Sequence, residues 1–153
     1  MPKRTRSGRL PVRDAVAAGG VVVREHDGQL QVVVAGRAPD NTWVFAKGTP
    51  DGEETIAETA LREVGEETGL SVRILAPIGS TDYWFASRGV RYHKVVHFFL
   101  MEATGGDVAA HDHEYDDVRW VSVDEARRLL SYDNYRDVLQ RALERYGQVR
   151  AGT

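Results

Sequence analysis

The sequence contains no cysteine and no long apolar segment. Without cysteine, the chain can form no disulfide, no thiolate nucleophile and no cysteine metal site, and this composition fits a reducing cytoplasm. No apolar run approaches the roughly 20 residues that a membrane helix needs. The basic N-terminal residues are not followed by the apolar stretch of a signal peptide. We therefore expect a cytoplasmic protein without a membrane partner.

Acidic residues are absent from the first 13 positions, which carry five basic residues: Lys3, Arg4, Arg6, Arg9 and Arg13. The remaining sequence has 15 basic and 23 acidic residues, a net charge of −8. An acidic body attracts divalent cations and repels nucleic acid, so we expect no stable nucleic-acid complex. We expect residues 1–13 to be a basic, disordered leader and residues 14–149 to form one folded domain.

Strand patterns occur on both sides of a glutamate-rich segment. An Asp27-Gly28 turn between two β-branched apolar runs predicts a hairpin whose first strand begins near Val16. In a later apolar stretch, Pro77 and Gly79 predict a break between two strand pieces. The pattern indicates several strands of one sheet.

Helix signals separate these strands. Thr55 and Glu58 form a capping box that opens a helix, and Gly69 stands where its C-terminal cap belongs. A final helix is predicted from about Asn134, with Gly147 as its cap. Together these signals predict an α/β fold, a mixed sheet with helices packed on it in a single domain.

Three glutamates crowd the end of the first helix. Glu63, Glu66 and Glu67 are spaced i, i+3 and i+4, so they are expected to project together beside the apolar face. They repel one another and lie near the helix C-terminus, where the helix dipole disfavours negative charge. A hard cation would neutralise them, and clustered carboxylates suit Mg²⁺ or Mn²⁺. The alternative is an unpaired acidic surface.

The segment from Gly48 to Leu70 resembles the Nudix box, G-x5-E-x7-R-E-U-x-E-E-x-G-U with U aliphatic. Its matching residues are Gly48, Glu54, Arg62, Glu63, Val64, Glu66, Glu67, Gly69 and Leu70. The resemblance implies a Nudix-type α/β/α sandwich and hydrolysis of a nucleoside diphosphate linked to another group. The chain looks closest to bacterial hydrolases of diadenosine or other nucleoside polyphosphates. Ala46 and Thr49 stand where the diadenosine polyphosphate branch usually has proline and histidine.

The resemblance also implies roles for residues of the box and of one later loop. The expected metal ligands are Glu63, Glu66 and Glu67, joined by Glu114 and the backbone carbonyl of Lys47. The cofactor would be Mg²⁺, for which Mn²⁺ could substitute. The expected catalytic residues are Glu63, Glu66, Glu67, Arg62 and Glu114. In this set Arg62 orients carboxylates, and the general base is Glu66 or a loop glutamate.

Five residues outside this set are expected to bind substrate. Lys47, Lys94 and Arg37 would contact phosphates, and Tyr83 and Tyr92 lie on strands that resemble the phosphate-binding strands of diadenosine polyphosphate hydrolases. The expected partner is a nucleotide polyphosphate, and the favoured substrate is a dinucleoside polyphosphate. The alternatives are an oxidised nucleoside triphosphate, as in MutT-like enzymes, and a non-catalytic Nudix sensor. The oligomeric state stays open.

Overall fold

The computed structural model describes residues 10–152, so most of the predicted leader lies outside the described residues. Among these residues, no helix is both long and apolar enough to cross a membrane. Apart from a short 3₁₀ turn, the helices and strands are, in chain order, β1 (Val12–His26), β2 (Gln29–Arg37), β3 (Thr42–Val44), β4 (Lys47–Gly48), α1 (Ile56–Thr68), β5 (Leu70–Ser87), β6 (Val90–Gly106), β7 (Asp117–Ser122), α2 (Val123–Leu129) and α3 (Asp133–Ala151).

The strands form a mixed sheet in the order β3-β2-β1-β6-β5, with β4 paired to β1 and β7 paired to β2. The first part of β1 pairs in parallel with β6, and its last four residues pair antiparallel with β2. Helix α1 packs mainly on β1, and α3 packs mainly on β5. The predicted fold class, α/β with a mixed sheet in one domain, is confirmed.

The predicted boundary between leader and domain is wrong by two residues. Val12 and Arg13 already belong to β1, where they pair with Arg91 and Tyr92 of β6. The strand therefore begins four positions before Val16. Backbone pairing with a long neighbouring strand continues beyond the apolar run, because the hydrogen bonds of a sheet do not depend on the side chains.

Strand β5 is continuous, so the predicted break at Pro77 and Gly79 is wrong. The pairing with β6 shifts register between these two residues, and Gly79 adopts a positive φ of 92°. β5 is the edge strand of the sheet. A proline lacks an N–H group, and an edge strand with a bulge tolerates that loss.

Helix α1 begins and ends as predicted, whereas α3 is longer than predicted. The capping box of Thr55 and Glu58 is formed in both directions, and Gly69 caps the C-terminus with a φ of 79°. Helix α3 continues through Gly147 to Ala151. A glycine costs only about 1 kcal/mol inside a helix, and the neighbouring residues outweigh that cost here.

Aromatic packing fixes the segment that enters the box. Phe45 is fully buried, and its ring meets Phe98 at 6.4 Å and Tyr135 at 6.0 Å in edge-to-face geometry. A Cβ atom on Gly19 would lie 2.2 Å from the Ala46 carbonyl oxygen. The absence of a side chain at Gly19 therefore lets β1 approach the segment that carries the candidate site.

Candidate active site

The three glutamates of helix α1 lie in different environments. Glu67 is 4% exposed, whereas the side chain of Glu66 is 52% exposed and pairs with Arg62 at 3.4 Å. Glu63 hydrogen-bonds to Glu67. Glu63 and Glu66 both lie within 3.4 Å of the same Arg62 nitrogen, so the three carboxyl groups are neighbours although their exposure differs. That they share one metal site stays a prediction.

Glu67 is a buried carboxyl group with two polar neighbours. Its Oε1 accepts a hydrogen bond from the backbone N–H of Lys47 at 3.1 Å. Burial, the hydrogen bond to Glu63 and the negative charge of Glu63 together raise the pKa of Glu67 to about 9. These causes favour the protonated form of Glu67 in the metal-free protein.

The Glu63–Glu67 pair fits a divalent cation. Two adjacent carboxyl groups that must share a proton can both ionise when a cation replaces that proton. Within residues 10–152, no three aspartate, glutamate or histidine side chains are already arranged as a complete ligand set. The Glu66 side chain lies next to Arg62 and is half exposed to solvent. Lys47 contacts Glu67 through its backbone N–H group rather than through its carbonyl. The roles predicted for Glu66 and for the Lys47 carbonyl stay predictions.

Arg62 joins the loop before the helix to the glutamates. Its guanidinium forms a bidentate pair with Glu54, at 2.6 and 2.9 Å, and donates to the Thr49 carbonyl at 3.1 Å. Its Nη1 also lies 3.3 Å from Glu63 and 3.4 Å from Glu66. The hydrogen bonds from Arg62 lower the pKa of Glu54 to about 2. Arg62 thus connects the loop to the carboxylates.

Gly48 makes room for the Glu63 side chain. A Cβ atom on Gly48 would lie 2.1 Å from both the Cδ and the Oε2 of Glu63. The first glycine of the box therefore has a steric reason, because any side chain at this position would displace the Glu63 carboxylate.

The Gly48→Ala variant is expected to lose activity roughly 10- to 100-fold with little loss of stability. The displaced group is the flexible end of Glu63, so the fold can absorb the methyl group while the carboxylate moves. The measurement is kcat/KM together with a thermal unfolding curve. Gly147→Ala is the matched control, because a Cβ atom there meets nothing within 4 Å. An unchanged kcat/KM in Gly48→Ala would contradict the prediction.

A cleft of about 540 Å³ lies beside these carboxylates. Its lining combines cationic, polar and aromatic side chains: Arg37, Asp40, Thr42, Val44, Lys47, Tyr83, Tyr115, Tyr132, Asn134 and Tyr135. The backbone of Lys47 contacts Glu67, so the cleft and the carboxylates are continuous. Another cavity, of about 510 Å³, contains none of the predicted site residues. The 540 Å³ cleft is therefore the candidate active site.

The charges of four predicted site residues act on Lys47. Burial lowers the pKa of the Lys47 amino group, and the cations Lys94 and Arg37 lower it further. The charges of Glu67 and Glu114 act in the opposite direction. Of these five residues, Arg37 and Lys47 line the cleft.

Glu114 is held by Arg37 in this structure. The Arg37 guanidinium pairs with the Glu114 carboxylate, and its Nε donates to the Glu114 carbonyl at 3.2 Å. Arg37 also stacks over the Tyr115 ring at 4.4 Å. Among the causes that raise the pKa of Glu67, the charge of Glu114 is the smallest. Whether Glu114 binds metal stays a prediction.

The predicted tyrosines lie at different distances from the cleft. Tyr83 lines it, whereas Tyr92 is not among the lining residues and stacks on Phe85. Lys94 is the direct partner of Tyr83 in the pairing of β5 with β6. The structure therefore brings Tyr83 and Lys94 together and places Tyr92 farther along the same ribbon.

Three tyrosines of the cleft were not predicted as site residues. The sequence predicts Tyr135 as a buried residue of the last helix, and it assigns no role to Tyr115 or Tyr132. Tyr115 precedes β7, and Tyr132 is the N-cap residue of α3. A single sequence carries no signal that would bring these distant segments to the box.

The NUDIX domain family matches residues 13–142 of this chain. A protein named MutT4 from Mycobacterium tuberculosis is 38% identical over 144 residues, which cover 90% of this chain and 58% of the relative. An 8-oxo-(d)GTP phosphatase from Mycolicibacterium smegmatis is 32% identical over 139 residues, which cover 91% of this chain and 41% of the relative. The chain thus spans about half the length of these two relatives.

A solved structure of an Ap4A hydrolase from C. elegans has the same fold. The match covers 91% of this chain and 99% of that chain, with a TM-score of 0.66 and 18% sequence identity. At this identity the likeness concerns the fold alone. The family match, however, extends over most of the sequence and includes the complete box, so this chain belongs to the NUDIX domain family.

Proposed function

We propose that this chain is a pyrophosphohydrolase that cleaves a phosphoanhydride bond in a nucleoside polyphosphate. Nudix hydrolases generally use a divalent metal ion, and for this chain we assign Mg²⁺, with Mn²⁺ as a substitute. The observation that carries the proposal is the continuity between the Glu63–Glu67 pair and a cleft lined by cations and tyrosines. Such a cleft can hold phosphates beside a metal centre and a base against aromatic rings.

Glu63 and Glu67 would hold the metal, and Arg62 would keep Glu63 in place. When bound, the divalent ion supplies an activated water nucleophile and neutralises the charge that develops on the phosphates. Lys47 and Arg37 line the cleft and would bind phosphate oxygens, which helps to align the scissile bond. The chain thereby places an anionic substrate next to an acidic centre.

The proton of the attacking water needs an acceptor, and two carboxylates are available. Glu66 is half exposed next to Arg62, and Glu114 is paired with Arg37. Phosphates that bind Arg37 would compete with Glu114 for the guanidinium and thereby free this carboxylate. We propose that one of these two glutamates is the general base.

The substrate that we favour is a dinucleoside polyphosphate such as diadenosine penta- or hexaphosphate. Burial lowers the pKa of Lys47, and the charges of Lys94 and Arg37 lower it further, which supports the proposal that these three cations meet the same polyphosphate. Three cationic side chains can contact more phosphates than a short polyphosphate contains. A long polyphosphate would contact all three cations.

An oxidised nucleoside triphosphate is the second candidate. The observation in its favour is the similarity to a relative named 8-oxo-(d)GTP phosphatase. In this case the base would lie among the tyrosines of the cleft, and specificity would come from the lining of the pocket rather than from the length of the phosphate chain.

The test compares kcat/KM for diadenosine pentaphosphate, 8-oxo-dGTP, ATP and a nucleotide sugar at one free Mg²⁺ concentration, with products identified by chromatography. We expect diadenosine pentaphosphate to exceed the others by about tenfold or more. A tenfold preference for 8-oxo-dGTP would establish the second candidate. No hydrolysis of any nucleotide with Mg²⁺ or Mn²⁺, or full activity in excess EDTA, would refute the proposed function.

A further inference from the structure

The end of the β5–β6 ribbon carries exposed aromatic residues on both faces. Tyr83, Trp84 and Phe85 are consecutive in β5 and are 37%, 50% and 39% exposed. Successive side chains of a strand point to opposite faces, so Tyr83 and Phe85 share one face and Trp84 lies on the other. The contacts agree, since Trp84 stacks on His93 and Tyr83 packs near Phe85.

The face with Phe85 is continuous with the candidate active site. Tyr83 lines the cleft, and its ring centroid lies 6.0 Å from that of Phe85. Phe85 in turn stacks on Tyr92, with centroids 5.0 Å apart and an angle of 16° between the rings. Lys94 pairs directly with Tyr83 on the adjacent strand. A row of rings therefore leads out of the cleft beside a cation that acts on Lys47.

We propose that Phe85, whose ring stacks on that of Tyr92, is the stacking platform for the second nucleobase of a dinucleoside polyphosphate. This inference rests on the proposed function and deepens it. In this arrangement the first nucleoside occupies the tyrosine-lined cleft, and the polyphosphate runs past Lys47 and Lys94. The second base then reaches the row of rings at the place where this row leads out of the cleft.

The chemistry of the platform suits a base. A half-exposed phenyl ring held by a parallel neighbour presents a flat π-surface, and any nucleobase can stack on such a surface without specific hydrogen bonds. The loss of one stacking ring changes nucleic-acid affinity by roughly 10- to 100-fold. The face with Phe85 is continuous with the cleft. On the opposite face, the Trp84 ring stacks on His93 and has the Arg91 guanidinium over it.

The experiment compares two substrates that differ only in the second nucleoside, diadenosine tetraphosphate and adenosine tetraphosphate. For Phe85→Ala, we expect kcat/KM to fall roughly tenfold for the first substrate and less than about twofold for the second. Phe85→Tyr should restore the ratio of the two values. Trp84→Ala is the matched control, because it removes an exposed ring from the opposite face of the same strand, and its ratio should equal that of the wild type.

Equilibrium binding of both nucleotides, measured calorimetrically with Ca²⁺ in place of Mg²⁺, separates this inference from the proposed function. If the wild type hydrolyses neither nucleotide, the favoured dinucleoside polyphosphate substrate fails, and the binding measurement still decides about the platform. Equal losses for both nucleotides in Phe85→Ala, or the same change in Trp84→Ala, would overturn the inference. A wild-type dimer that Phe85→Ala converts to a monomer would also overturn it, because the ring would then be an interface between two copies.

Discussion

The Glu67→Gln variant is expected to lose turnover by on the order of 10³-fold, while its metal-free fold stays as stable as the wild type or becomes more stable. Glutamine is uncharged and close in shape to a protonated glutamate. Because burial and the neighbouring Glu63 raise the pKa of Glu67, the metal-free fold favours the neutral form of this side chain. The amide oxygen of glutamine can still accept a hydrogen bond from the Lys47 N–H group, so the substitution should cost the metal-free fold little stability.

The measurements are kcat with Mg²⁺ and thermal unfolding with and without the metal. A ligand that binds only the folded state stabilises it, so Mg²⁺ should raise the Tm of the wild type and not that of Glu67→Gln. Glu53→Gln is the control, since it makes the same carboxyl-to-amide substitution at an exposed loop residue. Turnover within about twofold of the wild type in Glu67→Gln would contradict the assignment of the metal centre.

The Arg62→Ala variant is expected to lose activity roughly 10- to 100-fold and, unlike Glu67→Gln, to lose stability as well. The arginine holds Glu54, the Thr49 carbonyl and two carboxylates of the helix. Lysine cannot reproduce a bidentate pair. Arg62→Lys should therefore recover only a small part of the activity.

The loss of stability in Arg62→Ala should depend on pH. Arg62 lowers the folded-state pKa of Glu54 to about 2, below its usual value of 4.5. A lowered carboxyl pKa stabilises the fold above the unfolded pKa, and that contribution disappears as the pH falls through the folded pKa. The difference in unfolding free energy between wild type and Arg62→Ala should thus be largest above about pH 5 and shrink toward pH 2.

Unfolding by denaturant at a series of pH values gives this difference directly. Arg119→Ala is the matched control, because Arg119 also pairs with an acid, Asp117, and lies outside the cleft. This control should keep the activity of the wild type. A difference between wild type and Arg62→Ala that is constant from pH 7 to pH 2 would show that the pair with Glu54 does not account for the loss.

Local signals predicted the segment around the box well. The capping box of Thr55 and Glu58 and the left-handed Gly69 define helix α1, because each depends on contacts within a few residues. The same kind of reasoning failed at Gly147 and at Pro77. In both places tertiary packing or the partner strand outweighed a weak local preference.

The sequence alone determined the family and the fold class and predicted the acidic centre, because the spacing of the box is a pattern within one contiguous segment. It could not determine that Glu67 is buried while Glu66 is exposed, since that difference depends on which elements cover each side of the helix. The tertiary structure also decided that Arg37 holds Glu114 and that Tyr115, Tyr132 and Tyr135 line the cleft. These residues come from segments far apart in the sequence, and only the packing of the sheet, the loop before β7 and helix α3 brings them to the box.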